Sequence, residues 1–145
     1  MKIEELMIGD WVNVFDVPKQ IEGIRTFNKN GYKMVYYDGD NGNYITSVTP
    51  IPLTEEILHN NGFKNDVIAQ KSIIAEGASN FSVILISEDN RIAINNIDEF
   101  LNSFNKWYIH IDTEDMRTLC VAEITYVHEL QHVLNLCKIE KEIII

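Results

Sequence analysis

The stretch Val127-His128-Glu129-Leu130-Gln131-His132 holds the residues best suited to chemistry. Two histidines one helical turn apart can present ring nitrogens to one ion, and a glutamate between them can act as general base toward a zinc-bound water. On that reading His128 and His132 are metal ligands, Glu129 is the catalytic base and zinc is the cofactor of a hydrolase or peptidase. Such a site needs a third protein ligand and one open position. The extended motif has Gly and His three and six residues past the second histidine, where this chain has Asn135 and Lys138. On a continued helix, Glu140 would lie about 12 Å along the axis from His132 at ~1.5 Å per residue. The upstream candidates are His110, Asp112, Glu114 and Asp115 of "HIDTED", whose spacing does not follow a calcium-binding loop.

The element that must carry the motif is a helix from about Thr125 to Cys137. With side chains set ~100° apart, Leu130, Val133, Leu134 and Cys137 form its apolar face. His128 and His132 fall almost opposite, on the side that also holds Gln131 and Asn135. This is the pattern of a structural amphipathic helix with two solvated surface histidines. We therefore favour the reading with no catalytic residue, no metal ligand and no cofactor over the zinc alternative.

Elsewhere the chain reads as strands punctuated by turns. The segments 10–17, 21–27, 32–38 and 44–51 are short, β-branched and aromatic, and are separated by "NKNG" and "DGDNGN". They suggest an SH3-like sheet or small barrel over residues 1–52. Trp11, Tyr32, Tyr36, Tyr37 and Tyr44 could line a groove on it, although cross-strand pairs and core packing account for such aromatics more simply. A helix follows in "LTEEILHNNGF": Thr54 caps it, Glu55 and Glu56 complement its positive end, Leu53 and Leu58 have staple spacing, and Gly62 fits the left-handed stop. His59 needs no role beyond complementing the dipole.

The second half, 53–145, is expected to be an α+β lobe. Its strands are read at 67–74, 81–87, 91–94, 107–112 and 118–124, and a short helix at "NIDEFLNSF", where Asn96 and Glu99 have capping-box spacing ahead of Phe100, Leu101 and Phe104. The fold class is therefore α+β, as two lobes or one continuous domain. The apolar tail "IEKEIII" is expected to add a strand to its own sheet or to a second copy, making a homodimer.

Composition bounds the partners. Twelve Lys and Arg against 22 Asp and Glu give a net charge of −10, and the cations are scattered singly, so nucleic acid is not expected as a partner. Neither a span long enough for a membrane nor a basic, apolar leader is evident, which points to a cytoplasmic protein. Cys120 and Cys137 have neither disulfide-scaffold nor C-x-x-C spacing. No Gly-rich phosphate loop or nucleophile elbow is present.

Three blocks in order, "IEELMIGDWV", "PIPLTEEILHNNGF" and "EITYVHELQHVLNLC", make the chain similar to a group of small uncharacterised proteins encoded by phages and prophages of anaerobic gut bacteria. The three blocks cover roughly a quarter of the chain, spread along its length, and the resemblance departs at Glu129, His132 and the terminal "CKIEKEI". It implies that "HELQH" is a local variant of a structural helix, and it implies no activity. The expectation is a non-enzymatic accessory protein in the bacterial host cell. It would bind a host or virion protein, or a small ligand such as a defence signalling nucleotide.

Overall fold

Trp11–Val14 shows how the first strands form. Val12 and Val14 are buried while Trp11 and Asn13 are half-buried, the period-two pattern of a strand with one face on a core. A computed structural model describes residues 5–27, 31–39, 41–67, 81–87, 91–97, 106–112 and 118–145. Within it the chain divides into two compact units: residues 1–52 with 126–143 and 145, and residues 53–125 with 144. The fold class is α+β.

In the first unit β1 (Trp11–Val14) pairs antiparallel with β2 (Val17–Gln20) and with β6 (Val48–Pro50). A meander of β3 (Gly23–Phe27), β4 (Tyr32–Tyr37) and β5 (Asn41–Tyr44) makes a second three-stranded sheet. These are two sheets rather than one SH3-like sheet, and no closed barrel forms among the described residues. The ladder is interrupted at Ile21–Glu22 and by a 3-10 turn at Ile45–Ser47, which also breaks the strand expected over 44–51. Leu6, Val12, Val14, Ile21, Val35 and Val48 form the core, with Ile24, Tyr37 and Ile45 packed against it.

The segment 10–17, expected as one strand, contains a reversal. Phe15 and Asp16 have φ of 50° and 62° and close a two-residue hairpin of the type that usually recruits Asn-Gly. A left-handed bulky residue costs about 1–2 kcal/mol, and Phe15 is 70% exposed, so no burial offsets it. Phe15→Asn is expected to stabilise the first unit by about 1 kcal/mol in urea unfolding. An unchanged midpoint would show that the turn stores no strain.

The second unit begins with α1 (Glu55–Asn60). As expected, Thr54 Oγ1 accepts the Ile57 N–H at 3.2 Å, Leu53 and Leu58 are fully buried, and Gly62 is left-handed with φ 81°. His59 Nδ1 bonds the Phe63 carbonyl at 2.9 Å, closing the turn beyond the helix. A five-stranded antiparallel sheet follows in the order β11-β10-β9-β8-β7, with β7 Lys64–Asn65, β8 Phe81–Ile86, β9 Ile92–Ile97, β10 Trp107–Asp112 and β11 Thr118–Ile124. Its buried side chains include Ile84, Leu85, Ile92, Ile94, Ile109 and Ile124, and the Trp107 indole donates to the Leu53 carbonyl at 3.0 Å.

Asn96 does not cap a helix. It pairs with Trp107 on one side and Val83 on the other, because β9 runs through Ile97. The rest of "DEFLNSF", including Glu99, and most of the strand expected at 67–74 lie outside the described residues.

The last helix, α2 (Val127–Leu136), belongs to the first unit and not to the 53–145 lobe in which its sequence position placed it. The second unit is thus an insertion between Pro52 and Tyr126, two residues that pair as an isolated β-bridge. The Val127 N–H donates to the Ile51 carbonyl at 3.0 Å beside that bridge. The tail adds no strand among the described residues: Ile143 is buried, and the Ile144 N–H and carbonyl both bond the Asn61 side-chain amide at 2.8 Å.

Candidate functional site

Helix α2 starts at the motif itself. Tyr126 is extended (φ −123°, ψ 156°) and caps the helix, so His128 and Glu129 lie in its first turn, where amide N–H groups need acceptors. Glu129 supplies one: its carboxylate accepts the Tyr126 N–H at 3.0 Å. A glutamate at this position is a helix-capping residue by geometry and charge.

One turn later His132 meets Asp10. Its Nε2 lies 2.9 and 3.0 Å from the two carboxylate oxygens, and since a carboxylate only accepts, this nitrogen carries the proton. Asp10 is 2% exposed, and its Oδ2 also accepts the Met7 N–H at 2.7 Å. Gln131 sews the same loop to the helix, accepting the Trp11 N–H and donating to the Gly9 carbonyl, each at 3.0 Å. Residues 7–11 therefore cover the face that the amphipathic pattern left to solvent.

His128 is the largest departure from the sequence reading. It is 2% exposed, with its ring stacked on Tyr126 (centroids 5.8 Å, planes 10° apart) and edge-on to His132 at 5.7 Å. Its Nδ1 has no hydrogen-bond partner. Burial lowers its pKa below the ordinary 6.5, against the opposing pull of the Asp10, Glu129 and Glu5 carboxylates and with a small added push from His132. Both histidines were expected on a solvated face. His128 is buried and His132 is half-buried against Asp10, because a covering loop far away in sequence cannot be seen in the periodicity of one helix.

The sign of the pH effect follows. Below pH 6.5 the unfolded chain takes up the His128 proton before the folded chain does, so stability is full above 6.5 and falls as pH drops toward the lower folded value. Urea midpoints should decline between pH 7.5 and 5.5, and His128→Phe, which keeps an aromatic ring beside Tyr126, should flatten that decline. An identical slope in the variant would remove His128 from the account.

The His132 Nε2 is held by Asp10, and the Glu129 carboxylate accepts the Tyr126 N–H at the helix end. Among the described residues no group of three His, Cys, Asp or Glu is placed to hold a metal. Of the upstream ligand candidates, His110 lies in β10 of the second unit, paired with Ala93 and Cys120; Asp112 ends that strand; Glu114 and Asp115 lie outside the described residues. Comparison with known protein families, curated proteins and solved structures returns no match. Asp10, the partner that organises the cluster, escaped the sequence reading; its only signal was an acid set between Gly9 and Trp11.

The other candidate lies on the meander. Val35 is fully buried and Ile24 and Tyr37 pack on the core, so the alternate residues face outward: Gly23, Arg25 and Phe27 on β3, Tyr32, Met34 and Tyr36 on β4, Gly42 and Tyr44 on β5. Tyr32 and Tyr44 are 60% and 55% exposed and meet edge to face at 6.2 Å. The Tyr36 ring lies across Gly42, where a Cβ would come within 2.9 Å of it, and the Arg25 guanidinium sits 4.9 Å from the ring centroid. Of the five aromatics singled out in the sequence, Tyr32, Tyr36 and Tyr44 share this face, Tyr37 packs toward the core, and Trp11 is half-buried in β1.

Proposed function

We propose that this chain is a non-enzymatic binding protein whose binding surface is the outward face of β3, β4 and β5. The observation that carries the reading is composition. The eight outward positions hold three tyrosines, a phenylalanine, a methionine and one arginine, and no carboxylate, in a chain with 22 acidic residues. Tyr, Phe, Met and Arg are the residues enriched at the centres of interfaces, and acids and lysine are those depleted there. The resemblance in three sequence blocks supports a setting as a phage or prophage accessory protein in the bacterial host cytoplasm. Its partner is then a host or virion protein, or a small ligand. The engaged His132 and Glu129 support the absence of zinc hydrolase chemistry.

The test compares the wild-type chain with a Tyr32→Glu/Tyr44→Glu variant in capture from host cells. A partner held stoichiometrically by the wild type and lost by a folded variant is expected. Near one zinc per chain, together with peptidase activity abolished by Glu129→Gln, would sink the reading.

A further inference from the structure

We draw no further inference here: the strongest candidate, the outward aromatic face of β3, β4 and β5 around Tyr32, Tyr36 and Tyr44, belongs to the site already described, and nothing in the structure shows what covers it.

Discussion

Replacing His132 by alanine is expected to destabilise the first unit by about 3 kcal/mol. The reason lies in what is left behind. Asp10 is 2% exposed and keeps only the Met7 N–H once the imidazole is gone. Stranding a buried charge in this way costs roughly 3–5 kcal/mol. The lower end applies because the His132 side chain is 21% exposed, so water can enter the vacated space. Removing both partners together should cost less than the sum of the single changes, since the apolar pair leaves no charge unpaired. Urea unfolding of the two single variants and the double variant gives the coupling directly. If His132→Ala lies within ~0.5 kcal/mol of wild type, the pair is a surface contact and the site has been misjudged.

The second large effect concerns α2 as a whole. A chain ending at residue 125 should have an unfolded first unit, whereas residues 1–52 joined to 126–145 by a two-residue linker should fold. Val127, Leu130 and Leu134 are at most 1% exposed, and burying side chains of this kind is worth roughly 1.5–3 kcal/mol each. Three of them together rival the 5–15 kcal/mol net stability typical of an entire domain. The linker can be short because Pro52 and Tyr126 are bridge partners, and paired residues on antiparallel strands can be joined by a two-residue turn. Amide NMR dispersion reads both outcomes. A well-dispersed spectrum from residues 1–52 alone would show that the unit does not need its helix.

How much of this was legible depended on distance along the chain. Thr54, Leu53, Leu58 and Gly62 act within one turn of each other, and their signals specified α1 correctly. Strand existence was also readable from β-branched and aromatic runs. Turn chemistry was not, where Phe15-Asp16 adopts a conformation that Asn-Gly would have advertised. Asn96 had cap spacing, yet pairing on both sides kept it in a strand, an example of tertiary contacts overriding a local signal. The surroundings of the histidine motif were illegible for the same reason on a larger scale. Asp10 and His132 are 122 residues apart, and no periodicity within α2 encodes a loop that arrives from the other end of the chain. The outward aromatic face was half legible: its residues were picked out, but which of them share a side emerged only from the strand register.

The insertion of Leu53–Thr125 between Pro52 and Tyr126 has a consequence for biosynthesis. Domains ordinarily acquire structure in the order in which they are translated. Here the amino-terminal strands emerge first and must wait for the helix that packs on β1, while the intervening unit can finish before them. At 5–20 residues per second that stretch takes on the order of 4–15 s to make. Throughout that interval β1 lacks its packing against α2, so the earliest-made part of the polypeptide is the last to mature.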